Sequence, residues 1–432
     1  MIEPSRRAWF HMLRGMQHYT GLLGVLVILA IGYAFSTNRR AINRRTVFVG
    51  VGLQIVLTIL LFKFPPVVSV FTVLANIVSK VISFADEGTG FLFGNAANAS
   101  GAWGFIFAVK VLPIIIFFAA IMSVLYHLGI MQRIISVVAI AIRWTLGITG
   151  VEAISAAANI FVGQTEAPLT IRPFIARMTR SQIVTVMTGG FATIAGSVMA
   201  AYIVMIGGDD PAERVEVAKH FIAASVLSTP AGIVLAKLLY PETEKPPEET
   251  AEALRTMPRT TTNVLDAIAE GATDGLKLAL NVAAMLVAFV SIIALLNWPI
   301  AALSESVGLP ALTFQSILGY GLWPLAWLMG AGDDAHALAT LMGTSVVATE
   351  FVAYLDLSKL IEAKTISPHA STIAIYALCG FANLPSIAIQ IGGLGAMAPE
   401  RRGDLARLGL RAMIAGALAC WMTGAIAGVF AN

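Results

Sequence analysis

Apolar runs long enough to cross roughly 30 Å of hydrocarbon recur along the whole chain, and two are interrupted in the same way. Thr165-Glu166 sits within the apolar stretch 157–169, and Gly190-Phe191-Ala192-Thr193 follows it. Thr349-Glu350 and Gly380-Phe381-Ala382-Asn383 repeat the theme in the second half. A carboxylate at membrane depth costs about 2.5–3.5 kcal/mol on insertion scales, so two in matching surroundings require a polar task. Duplicated apolar segments, each broken by Gly, Pro and polar residues, mark the midplane site of a secondary transporter. The 432 residues are 57% hydrophobic and 12% charged, about half the charged share of a soluble domain. The fold class is therefore an all-α polytopic membrane protein.

Several function classes fall away. Cys379 and Cys420 lie in apolar spans without metal-ligand spacing and read as small packing residues. His11, His18, His127, His220, His336 and His369 are scattered, with no His-x3-His pattern. No Gly-rich phosphate loop ending in Lys-Ser/Thr is present, which argues against an ATP-driven pump. No nucleophile–His pair supports an enzyme. The first apolar run lacks a small-residue cleavage site and reads as a retained span.

Charge gives the topology. Arg39, Arg40, Arg44 and Arg45 fill the short turn between spans at 20–36 and 46–62, so that turn is cytoplasmic. Both termini are then expected outside. Residues 65–104 suggest an amphipathic helix on the outer surface, followed by a span at 103–128 and an inner interfacial helix at 130–146. Residues 151–180 are apolar but broken by Gly163 and Pro168, which predicts two half-length helices meeting at a tip. Spans at 181–206 and 221–239 flank an acidic outer loop, and 241–259, rich in Pro, Glu and Thr, is a cytoplasmic linker. A span at 276–298, a second hairpin within 312–360, and spans at 372–396 and 405–430 complete the chain. The total is eight transmembrane helices plus two re-entrant hairpins. Three spans separate the hairpins, so they open to opposite faces as an inverted repeat.

The first tip offers Gly163, Gln164, Thr165 and Glu166, and the second Thr349 and Glu350. Each is followed by a broken span whose free backbone groups point into a cavity, around Gly189–Ser197 and Gly380–Ser386. One chamber with carboxylates, a carboxamide and hydroxyls suits a polar organic solute, and Phe381 could face a planar group. Asp333 and Asp334 are expected at the solvent end of the second hairpin, and Lys110 and Glu152 as snorkelling or interfacial charges.

At these residues the chain resembles the concentrative nucleoside transporter family over roughly 100–430. The marks are Gly163-Gln164-Thr165-Glu166-Ala167-Pro168-Leu169, Glu350-Phe351-Val352-Ala353-Tyr354, Cys379-Gly380-Phe381-Ala382-Asn383-Leu384 and the run from Ser386 to Leu394. The resemblance implies a homotrimer in the plasma (inner) membrane that imports nucleosides coupled to Na⁺. It implies a scaffold region, 1–128 and 263–300, and a transport region, 129–262 and 301–432. Gln164, Thr165, Glu166 and Val198 would contact the nucleobase, with Gly163 in the tip. Glu350, Asn383 and Ser386 would hold the ribose, with Phe381 nearby. Asn159, Val162, Thr193 and Ile194 match the family's Na⁺ positions, the apolar pair through carbonyls. Ser345, Thr349 and Pro385 depart from the usual pattern on the ribose side. A proton-coupled symporter, or a carrier of nucleobases or another sugar-bearing solute, is the alternative.

Overall fold

A computed structural model describes residues 20–98, 103–104, 106–247 and 261–430. Residues 1–19, with Arg6, Arg7 and Arg14, and residues 248–259 of the expected linker lie outside the described residues. The described residues are helical, with no strand among them. Seven helices are long and apolar enough to cross a membrane: Arg44–Lys63, Pro65–Ala97, Phe107–His127, Arg180–Gly207, Pro211–Leu239, Val264–Ser306 and Pro399–Phe430. A shorter apolar helix, Thr20–Ala34, supplies the first expected span.

Polar side chains start these helices where backbone N–H groups would otherwise be unpaired. Asn43 accepts from the amides of Arg45 and Thr46. Thr149 and Thr179 form capping boxes with Glu152 and Gln182 at the two ends of the first hairpin. Asn263, Thr313, Ser367 and Asn383 cap later helices in the same manner.

Two repeats follow one element order. A membrane-length helix leads to a shorter helix, a hairpin, a broken span and a final long helix. In the first repeat these are Phe107–His127, Ile130–Leu146, the hairpin, the pair Arg180–Ala192 and Gly196–Gly207, and Pro211–Leu239. In the second they are Val264–Ser306, Phe314–Ala326, the hairpin, the pair Pro368–Ala377 and Leu384–Met397, and Arg402–Phe430.

The structure revises several sequence expectations. The second hairpin is Ala335–Val347 and Glu350–Glu362, joined at Ala348-Thr349; Phe314–Ala326 is a separate helix before it. Gly330 and Gly332 adopt positive φ between them, which ends one helix and restarts the next. The first hairpin is asymmetric. Its first arm, Gly150–Asn159, is a helix, but its second is a tight turn, Ala167–Ile171, and one helical turn, Arg172–Ile175. Pro168 and Pro173 remove the amide donors that a longer helix would need. Within residues 65–104, expected as an outer surface element, Pro65–Phe93 forms one continuous helix, whose length and apolar composition alone do not distinguish lying on the membrane from crossing it.

The charges expected at interfaces are paired. Lys237 lies 2.6 Å from Glu152, which is 1% exposed, and donates to Ser181 at 3.0 Å. Thr149 binds the same carboxylate through its amide and hydroxyl. This cluster ties the first hairpin to the start of the broken span and the end of Pro211–Leu239. At the other end, Lys110 and Arg214 each contact both Asp86 and Asp209, at 3.1–3.4 Å, closing a four-membered ring. Asp333 is exposed, as expected, and Asp334 accepts from the Ser367 amide. Cys379 and Cys420 are buried and free, the thiol of Cys420 reaching the Ala192 and Cys379 carbonyls.

Removing one member of a buried ion pair leaves the other uncompensated, at a cost of about 3–5 kcal/mol. Lys237→Ala should therefore lower the thermal midpoint in detergent markedly. Lys237→Met combined with Glu152→Gln should recover most of that loss; a double variant no better than the single one would contradict the pairing.

Candidate functional site

Both hairpin tips and both broken spans face one cavity of about 900 Å³. That volume lies within the range of small-molecule sites. Gly163, Gln164, Thr165, Glu166, Val198, Glu350, Phe381, Asn383 and Ser386 all line it. Thr349 and Pro385, two of the departures, line it too, whereas Ser345 is buried in Ala335–Val347 away from it.

The second-repeat side centres on Glu350. Thr349 caps the helix that begins at Glu350, so the carboxylate sits at a helix N-terminus, where partial positive charge favours it. The carboxylate is 2% exposed. Tyr202 donates its hydroxyl to Oε1 and Asn383 its Nδ2 to Oε2, both at 2.7 Å. Asn383 is bifunctional, because its Oδ1 also accepts from the Ser386 amide and caps Leu384–Met397. Charge-assisted bonds to both oxygens hold the carboxylate in one orientation while leaving lone pairs toward the cavity.

The first-repeat side centres on Gln164. Its Nε2 donates to Ser386 Oγ at 3.2 Å, and its Oε1 accepts from Gln390 at 3.0 Å. These bonds cross from one repeat to the other. Close approach depends on glycine: a Cβ on Gly190 would come within 2.8 Å of Gln164 Cβ and of Gln390 Nε2. Glu166 faces the cavity, its carboxylate folded back on the tip against the Thr165 side chain and the Gly163 backbone.

Behind the first tip, the expected ion positions gather where the chain breaks. Asn159 ends its helix and Thr193 adopts an extended backbone between Arg180–Ala192 and Gly196–Gly207. The Phe161 carbonyl accepts from the Gly196 amide at 3.0 Å, joining tip to break. Asn159 is 1% exposed, and its Nδ2 donates to the Ser155 carbonyl while Oδ1 is buried without a hydrogen-bond partner. Thr193 donates to the Gly189 carbonyl, which leaves its oxygen lone pairs available. Val162 and Ile194 are buried beside them. A buried, unpartnered carbonyl oxygen near unwound backbone is one donor of the kind a hard cation takes.

Sequence reasoning missed Tyr202 and Gln390. Tyr202 reads as one ring in an apolar helix, and only packing brings its hydroxyl to Glu350. Gln390 carried a usable signal, since it lies four residues after Ser386 and so shares a helix face with it. The cavity also takes in Tyr126, His127, Glu270, Asp274 and Asn281 from helices that the site motifs do not touch.

Comparison with known proteins agrees with this geometry. Three family models match in sequence: "Na+ dependent nucleoside transporter N-terminus" over 23–96, "Nucleoside recognition" gate over 108–209, and "Na+ dependent nucleoside transporter C-terminus" over 220–428. An uncharacterized transporter of Haemophilus influenzae is 46% identical over 424 residues, covering 96% of this chain and 98% of its own. The chain belongs to the concentrative nucleoside transporter family. It is a transporter of nucleosides, not an enzyme, and a multi-pass helical membrane protein with re-entrant hairpins. The rat sodium/nucleoside cotransporter 2 is 40% identical over 420 residues, but the chain spans only 62% of that protein's length. CNTnw in an inward-facing substrate-bound state aligns at TM-score 0.89 and 42% identity, covering 96% of this chain and 98% of that one. A CNTnw variant in an outward-facing state aligns at TM-score 0.88 and 41% identity, over the same shares.

If the tip must seat against Gly190, Gly190→Ala should reduce nucleoside affinity at least tenfold in calorimetric titration while the protein still folds. Unchanged affinity would show that the tip does not need this contact.

Proposed function

We propose that this transporter imports nucleosides by Na⁺-coupled symport, with the chamber as the single binding site. The observation that carries the reading is the convergence of both tips on one cavity, with Glu350 and Gln164 each held by partners from the opposite repeat or span. In this reading the ribose hydroxyls are donors to Glu350 and partners of Asn383 and Ser386. Phe381 lies against the nucleoside, and Gln164, Thr165, Glu166 and Val198 meet the base, with Gly163 letting the tip turn. Na⁺ travels as co-substrate beside Asn159, Val162, Thr193 and Ile194. The unpartnered Asn159 Oδ1 supports Na⁺ as the coupling ion; a proton carried on Glu166 or Glu350 is the alternative, and at Glu350 it would compete with two hydrogen bonds already made to the carboxylate. Cation binding at the tip–break junction orders the tip and raises nucleoside affinity, and the coupling acts equally in reverse.

Alternating access follows from the proposed division into a scaffold, 1–128 and 263–300, and a transport region, 129–262 and 301–432. The chamber lies along that boundary, reaching Met122 and Tyr126 on one side and Gln164 and Asn383 on the other. The four-charge ring crosses the same boundary: Asp86 and Lys110 lie on the scaffold side, Asp209 and Arg214 on the other. Each side carries its own acid–base pair, so separation strands no charge. Exposed apolar side chains on the proposed scaffold, among them Val70, Val73, Val287 and Leu295, support its seating in the inner membrane, and the family resemblance supports a homotrimer. Both termini lie outside the cytoplasm in this topology.

Vesicle uptake of radiolabelled uridine at fixed pH should collapse when Na⁺ is replaced by choline; equal uptake would remove sodium from the scheme. Glu350→Gln should abolish uptake, because an amide cannot accept from two hydroxyls as a carboxylate does. Near-normal transport by that variant would place the site elsewhere.

A further inference from the structure

We propose that Gln390 is a positioning residue that fixes which end of the Gln164 amide faces the chamber, so that the first tip presents a hydrogen-bond donor to the nucleobase. This rests on the reading of Gln164 as a base contact. The oxygen and nitrogen ends of a carboxamide have nearly the same shape, so its orientation must come from its partners. Met187 supplies the decisive one. Its backbone carbonyl can only accept, and the Gln390 side chain meets it at 3.0 Å. The nitrogen end of Gln390 therefore points there.

The same nitrogen lies 3.0 Å from the Gln164 side chain, and its second N–H needs an acceptor. Gln164 must present its oxygen. Its own nitrogen then faces Ser386 Oγ at 3.2 Å and the chamber. Turning Gln164 over would set two amino groups against each other, and turning Gln390 over would set its oxygen against the Met187 carbonyl. Gln390 is 1% exposed and does not line the chamber, so it acts through Gln164. Its Oε1 has no hydrogen-bond partner, so that end exerts no competing preference on the orientation. Gly190 makes room for the whole arrangement.

The polarity relay therefore runs from the Met187 carbonyl through Gln390 to Gln164, and from Gln164 to Ser386. One Gln164 N–H and the Ser386 hydroxyl hydrogen remain for a ligand. The base accepted here must turn an acceptor edge toward the first tip. Loss of the relay frees Gln164 to rotate and satisfy either kind of edge.

The test is calorimetric titration of the purified full chain in Na⁺ with uridine, cytidine, inosine and adenosine, and with 2′-deoxyuridine as the ribose readout. Gln390→Met should narrow the spread of Kd among the four ribonucleosides about tenfold, leaving the uridine to 2′-deoxyuridine ratio unchanged. Gln164→Glu keeps an acceptor toward Gln390 but turns a second oxygen to the chamber, and should reorder the four. An unaltered spread in Gln390→Met overturns the proposal, as does a spread that moves together with the ribose ratio. If Gln390→Met does not fold, an unchanged order in Gln164→Glu is decisive against it. Gln164→Ala separates the two levels: if it also leaves the spread intact, the base-contact reading itself fails.

Discussion

The structure depends on keeping broken backbone and carboxylates satisfied at a depth where water cannot do it. Unwound segments survive within the hydrocarbon only where protein or a wet cavity covers them. Here the two tips and two breaks cover one another around a shared chamber. The Phe161 carbonyl pairs with the Gly196 amide, and Ser225 donates to the Ile160 carbonyl. Asn383 both caps the helix after the second break and holds Glu350. Each interruption is thus stabilised by the groups it exposes to its neighbour.

The two sides of the chamber differ in chemistry. Glu350 is an oriented acceptor, fixed by two donors and a helix N-terminus. Gln164 is an oriented amide, fixed by partners that begin at a backbone carbonyl. A nucleoside has hydroxyl donors at one end and a mixed edge at the other, so the pairing in the proposed reading is complementary in kind. Preorganised polar groups cost little reorganisation on binding, which suits a site that must fill and empty repeatedly.

Charge is handled with similar economy. Glu152 and Lys237 are buried, but their pairing with each other and with Thr149 and Ser181 makes them a fixed tie between the first hairpin and Pro211–Leu239. The ring of Asp86, Lys110, Asp209 and Arg214 joins segments far apart along the chain and, in the proposed division into scaffold and transport regions, separates into two neutral pairs. Neither arrangement is visible from local sequence, because the partners are far apart along the chain.

The sequence alone determined the membrane class, the paired interruptions and the identity of the chamber residues, since apolar length and misplaced polar groups are local properties. Gly163, Gln164 and Glu350 stood out because nothing else explains them at that depth. It could not fix where the second hairpin begins, because positive φ at Gly330 and Gly332 is a backbone outcome rather than a residue type. Nor could it give the short second arm of the first hairpin, or the partners of Glu152 and Lys110. Tyr202 and Gln390 entered the site only through packing: a hydroxyl or amide on an apolar helix gains meaning from the group it meets, and that group lies on another segment. Tertiary structure decided those meetings, because hydrogen bonds act over about 3 Å in space regardless of separation in sequence.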